Sequence, residues 1–172
     1  MYDVNEIIRM LDWHNPLDVQ RRGIELAKSI DDISEFIFPQ QPNYNKNVWE
    51  SCAKILNDKS DAELSTHLEK LLEWIQDLNW PGAIIILVRL KRFSEMSALV
   101  PAVARAVKKA IAPKDPIWLE EQDEIWLRSL AQLLVNGKLR MTLPKDVLET
   151  LEKHYYDNQG YDEKIAEELL EA

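Results

Sequence analysis

A lone cysteine in 172 residues excludes an intramolecular disulfide. Cys52 stands at an apolar position of the run VWESCAKIL and reads as a buried, reduced thiol. Glycine is nearly as scarce: Gly23, Gly82, Gly137 and Gly160 are the whole supply, too little for a phosphate-cradling loop. No P-loop, dinucleotide fingerprint or G-x-S-x-G is present. His14, His67 and His154 lie far apart and form no HExxH, so neither a metal nor an organic cofactor is expected. Long apolar runs are missing too, the longest being Ala83 to Val88, too short to span a bilayer. MYDVNEIIRM carries acids where a signal peptide needs bases. The expectation is a cytoplasmic, soluble chain with no membrane partner.

Positive charge is in deficit, with 21 Lys and Arg against 30 Asp and Glu, a net of −9. Such a balance disfavours nucleic acid as a default partner. The deficit is uneven. Residues 1–88 carry eight bases against fifteen acids, residues 89–114 seven against one, and residues 115–172 six against fourteen. One basic island, Arg89, Lys91, Arg92, Arg105, Lys108, Lys109 and Lys114, lies between two acidic arms.

What the chain does hold is helical spacing. Leu64, Leu68, Leu71, Leu72 and Ile75 make one stripe opened by a capping box, Ser60 with Glu63. Pro81 is expected at the first position of a second helix, and from Gly82 to Leu90 only Arg89 is polar, so this helix needs cover on both sides. Asp3 with Glu6 predicts another box, with Val4, Ile7, Ile8 and Leu11 inward. Asn15 as cap and Pro16 as first residue predict a helix burying Val19, Gly23, Leu26, Ala27 and Ile30. Asp31 and Asp32 open a shorter segment ending at Pro39, and PQQPNYNKN reads as a surface loop before a helix at about Asn47 to Leu56.

Downstream, Val100, Val103, Ala104, Val107 and Ile111 predict a stripe, with Pro101 a kink or fresh start. Asp115-Pro116 starts a helix with Leu127, Leu130, Ala131 and Leu134 inward, stopped by Asn136-Gly137. Pro144 starts another with Val147, Leu148 and Leu151 inward, and a short acidic helix follows from Asp162. No segment alternates with period two over strand length, so the fold class is all-α, in one domain over residues 1–172.

The string LLEWIQDLNWPGA, with its lead NVWESCAKIL and the later LVPAVARAVKK and DEIWLRSLAQLL, resembles an uncharacterised family of small bacterial proteins with HEAT-like helical repeats. That resemblance implies a curved superhelix of stacked antiparallel helix pairs over about Trp49 to Leu134, and it supplies no catalytic residue. HEAT-like proteins range from binding scaffolds to base-excision enzymes.

The candidate binding residues are Arg89, Arg92, Arg105, Lys108 and Lys109 of the island, with Trp118, one of six tryptophans (Trp13, Trp49, Trp74, Trp80, Trp118 and Trp126), which like Trp13 sits beside an Asp/Asn-Pro corner. Exposed Trp with Arg marks a binding hot spot, whereas Trp at helix corners is packing. The bland reading of the island is a solvated face opposite acids of neighbouring helices. Glu120, Glu121, Asp123 and Glu124 suit a helix start, where acids complement the dipole, better than a cation site. No catalytic residue stands out. The reading is a scaffold that binds another macromolecule, a protein before a nucleic acid, compatible by analogy with an immunity or antitoxin role. The alternative is a HEAT-like nucleic-acid binder or glycosylase-type enzyme holding phosphates on the island.

Overall fold

The computed structural model describes residues 3–37, 46–112, 118–157 and 160–171, with the backbone alone for 118–122. Among them every regular element is helical and no strand is present, as apolar spacings of three and four residues dictate. No helix among them is long and apolar enough to cross a membrane.

Helix α1 (Val4–Met10) opens with the Asp3–Glu6 capping box and buries Ile7 and Ile8. α2 (Leu17–Ala27) begins one residue later than expected, with Pro16 rather than Asn15 at the N-cap. Asn15 turns back instead, its Nδ2 donating to the carbonyls of Arg9 at 2.7 Å and Met10 at 3.3 Å. It thereby satisfies carbonyls that the end of α1 leaves without partners. The two helices cross closely at Gly23, where an added Cβ would stand 2.9 Å from the Met10 Cβ. Gly23 and Ala27 are buried, while Val19, Leu26 and Ile30 are half-buried.

The Asp31-Asp32 segment shortens to a 3-10 turn, Ser34–Phe36, that sinks Phe36 into the core. Most of PQQPNYNKN lies outside the described residues, and its last two, Lys46 and Asn47, begin a 3-10 turn (Lys46–Val48) into α3 (Trp49–Asn57). The predicted amphipathic helix is present as α4 (Asp61–Leu64) and α5 (Leu68–Trp74), joined by a 3-10 turn over Ser65–His67. Its capping box closes reciprocally: Ser60 N–H donates to Glu63 Oε2 at 2.8 Å, and Glu63 N–H to Ser60 Oγ at 3.3 Å. All five residues of the stripe from Leu64 to Ile75 are buried.

At the corner Pro81 does not begin the next helix. α6 (Ala83–Lys91) has Gly82 as its N-cap at φ 77°, a left-handed conformation natural to glycine. A Cβ there would also stand 2.6 Å from the Ala53 Cβ and 3.0 Å from the Trp49 carbonyl oxygen. Trp74, fully buried, donates its Nε1–H to the Pro81 carbonyl at 3.0 Å. Trp49 meets Trp74 and Trp80 edge-on, with ring centroids 6.1 and 5.9 Å apart. Corner packing is the work of these three tryptophans. α6 is buried at Ala83 and from Ile85 through Lys91. It is covered by α3, α5, a 3-10 turn over Gln132–Val135 and the last helix, α11 (Tyr161–Glu171).

α7 (Met96–Ala110) runs through Pro101, which stands exposed in its second turn and forfeits only its own bond to the Ser97 carbonyl. The buried face is Leu99, Ala102, Val103, Ala106, Val107 and Ala110, rotated from the expected stripe. Val100 and Ala104 are half-buried, and Ile111 is 54% exposed.

α8 (Trp118–Ala131) buries Leu127, Leu130 and Ala131, and Leu134 follows in the 3-10 turn. The Asp115-Pro116 start signal lies outside the described residues. Asn136-Gly137 is more than a stop: Asn136 Oδ1 accepts from Leu139 N–H at 3.2 Å and caps α9 (Gly137–Thr142), a helix with no place in the sequence reading. α10 (Lys145–Glu152) follows Pro144 and buries Val147 and Leu151, with Leu148 half-buried. One connected apolar cluster runs from Ile7 to Leu151.

Two glycines test this account of the corner. Gly82→Ala is expected to destabilise by more than about 1 kcal/mol, through both its φ and its contact with α3. At Gly137 an added Cβ meets nothing within 4 Å, so Gly137→Ala should be neutral or stabilise by about 0.4–1 kcal/mol. Urea midpoints measure both, and equal losses would contradict the close approach of α3 and α6.

Candidate functional site

Two residues of the basic island point inward. Arg89 lies on α6 with its side chain 10% exposed, donating through Nη2 to Asp61 Oδ1 at 2.6 Å and to the Lys59 carbonyl at 2.8 Å. Asp61 is 15% exposed, and its Oδ2 accepts from the Ser94 N–H and hydroxyl at 2.7 and 2.6 Å. One carboxylate thus ties the start of α4 to the end of α6 and to the turn beyond it. Lys91, with its side chain 5% exposed, donates to Asp162 at 3.0 Å and Glu163 at 2.9 Å, which fastens α11 onto α6.

The other described cations of the island face outward. Arg92 donates to Asn57 Oδ1 at 2.7 Å. On the outer side of α7, Arg105 pairs with Glu69 at 2.6 Å and Lys109 with Glu73 at 2.7 Å, while Glu73 also accepts from Lys70 at 2.8 Å. Lys108, exposed between them, has no ion-pair partner among the described residues. Arg105, Lys108 and Lys109 therefore share α7, whereas Arg89 and Arg92 sit apart on α6 and at its end. The side chain of Trp118 and all of Lys114 lie outside the described residues. The aromatic that does meet the island is Trp126, buried, with Lys109 Nζ 5.9 Å from its ring centre. Its Nε1–H is already committed to the Leu72 carbonyl at 2.9 Å.

Beside this face runs an open groove of about 330 Å³ between α7 and α10. Its floor is Ala104, Val107, Ile111 and Val147; Arg105 and Lys108 line it from α7, and Pro144, Asp146 and Thr150 from the α10 side. Sequence reading missed it because it depends on the rotation of α7, which turns Ile111 outward. A second groove, between α2, α3 and α11, has about 540 Å³ and mixed walls in which Lys28 is already paired with Glu25 at 2.7 Å.

The chemistry for catalysis is thin among the described residues. His14 faces Asp12 at 2.8 Å, and His154 faces Glu124 at 3.2 Å and the Thr150 carbonyl at 2.8 Å. No histidine hydrogen-bonds a hydroxyl or thiol side chain there. Complete burial pushes the Cys52 thiol up, away from the reactive thiolate. No group of three or more His, Cys, Asp or Glu side chains among the described residues is placed to hold a metal ion.

The profile of a family described as a domain of unknown function, DUF5071, matches residues 45–171. The chain belongs to the DUF5071 family. No curated protein and no solved structure matches it. The DUF5071 region begins at the 3-10 turn before α3 and takes in α6, its three ion pairs and the whole α7–α10 groove. The α2–α3–α11 groove, in contrast, is partly walled by α2, which lies outside that region.

Charge pairs of such different exposure carry different weight. Arg89→Ala leaves Asp61 without its guanidinium at a mostly buried site and is expected to cost about 3–5 kcal/mol. Arg105→Ala breaks a pair whose side chains are 59% and 66% exposed, so its cost is about 0–1 kcal/mol. Urea denaturation separates them, and similar losses would contradict the inward placement of Arg89.

The same pairs set an acid limit. Burial opposes ionisation of Asp61, but its bonds from Ser94 and Arg89 outweigh it and hold the carboxyl below the usual range. Glu163 is likewise held low, as burial is outweighed chiefly by Lys91. A carboxyl lowered on folding stabilises above its unfolded value, about 4, and loses that contribution as pH falls through the folded value. Stability from these pairs should therefore be constant from about pH 7 to 5 and decline below about pH 4, with a shallower decline in Asp61→Asn. A decline centred near pH 6 would point to histidine instead.

Proposed function

We propose that the chain is a protein-binding helical scaffold of HEAT-like design, with the α7–α10 groove as its docking surface. In favour of the stacked-repeat design, Glu69 with Arg105 and Glu73 with Lys109 are each 36 residues apart, so α5 and α7 lie parallel and in register. α6 in turn packs on α3 on one flank and on the 3-10 turn after α8 on the other. Two parallel layers of alternating helices are what antiparallel pairs give when they stack. α11 then returns to close over α6.

The observation that carries the functional reading is the use made of the basic island. Arg89, Lys91, Arg105 and Lys109 are spent on carboxylates of this same chain. A phosphate-binding track needs such cations free and an aromatic surface on which bases stack. Trp126 is buried, with its N–H committed. The α7–α10 groove has instead an apolar floor with charged residues at its edges, the anatomy of a protein-docking site.

Titration of labelled duplex and single-stranded DNA and RNA at two salt concentrations tests the choice. Binding no tighter than about 10⁻⁴ M at physiological salt is expected, the weak end of non-specific affinity. Sub-micromolar binding that weakens steeply with salt and disappears in Lys108→Glu/Lys109→Glu would replace the protein-binding reading with the nucleic-acid one.

A further inference from the structure

The α7–α10 groove carries opposite charges on its two sides. Arg105 and Lys108 stand on the α7 side, and Asp146 lines it from α10. Lys108 and Asp146 are both exposed, and neither has an ion-pair partner among the described residues. Between them lie Val107, Val147 and Ile111, the last 54% exposed at the end of α7. An apolar strip with a free cation on one side and a free anion on the other is complementary to itself when turned by half a revolution. In a two-fold interface, residue i meets residue j and j meets i.

Resting on the reading of this groove as a docking surface, we infer that its occupant is a second copy of the same chain, groove against groove across a two-fold axis. Lys108 of each copy then meets Asp146 of the other, and the two Ile111 side chains leave water together. The chain's net charge of −9 opposes association at long range. The match is therefore local, and the dimer is weak and strengthened by moderate salt until the rim pairs themselves are screened. A patch that takes only the last turns of α7 and the first turns of α10 lies at the small end of interfaces and sets the affinity in the micromolar range.

Sedimentation of the full chain from about 1 to 500 µM should show a monomer–dimer equilibrium, since a small interface populates both species in that span. Lys108→Glu alone and Asp146→Lys alone put like charges face to face and should each weaken the dimer about tenfold or more. An equimolar mixture of the two single variants re-creates attraction at both rim pairs. It should recover dimer that neither variant forms alone, a result that altered folding of either variant does not produce. Circular dichroism confirms that each exposed substitution leaves the helices intact.

A chain that stays monomeric to about 500 µM overturns the second-copy inference, as does a dimer indifferent to both charge reversals. The docking reading has its own readout on ¹⁵N-labelled chain. The probe is a synthetic helical peptide with leucines at i and i+4 and glutamates between. Amide shifts confined to Val107, Lys108 and Val147 in a monomeric chain would show that the groove docks a foreign helix and not a second copy. A monomer with no such shifts removes both readings.

Discussion

α6 has no side to give to water, and the rest of the fold answers that constraint. Eight of its nine residues are buried, including both of its charged ones, so neighbours must supply apolar cover and also anions. Asp61 at the start of α4, with Asp162 and Glu163 on α11, are those anions, reached from 28, 71 and 72 residues away in the chain. A buried cation without a partner costs several kcal/mol. The ion pairs of these two cations are thus conditions for burying α6 at all, and they fix where α4 and α11 dock.

The corner before α6 meets the same demand by backbone means. With Gly82 in a left-handed conformation, α6 starts directly against α3, and the Trp74 N–H takes up the Pro81 carbonyl that the turn would otherwise leave buried. Around this centre the second layer is assembled by lighter contacts. Of the pairs from α5 to α7, Arg105–Glu69 is exposed on both sides and Lys109–Glu73 on the lysine side, and they specify register more than they stabilise. That contrast explains how one stretch of basic sequence divides into residues that hold the core and residues that face solvent beside an open groove.

Local signals were legible in the sequence and long-range ones were not. Both capping boxes, the Leu64-to-Ile75 stripe, the buried Cys52 and the inner position of α6 follow from residues within a few turns of one another. Asn15 lies one position before the cap it is expected to be, because its side chain is claimed by the preceding helix, and Pro81 lies two before the first residue of α6, because a glycine takes the cap. α9 escaped because six residues are too few to display a period. The face of α7 was misjudged by a fraction of a turn: Leu99, Ala102 and Ala106 go inward while Ile111 does not, a choice made by α5 and α8 rather than by hydrophobicity.

That small rotation is what opens the groove beside α10, so the candidate site was the least legible part. The island was visible as charge, but its division into spent and free cations depended on acids tens of residues away. α6 is the helix the fold closes over, and native-state hydrogen exchange tests this most directly. The amides of Ile86 to Leu90 should be the slowest in the chain and open only with global unfolding, more slowly than those of α10. Exchange of these amides through a sub-global opening, faster than α10, would contradict it.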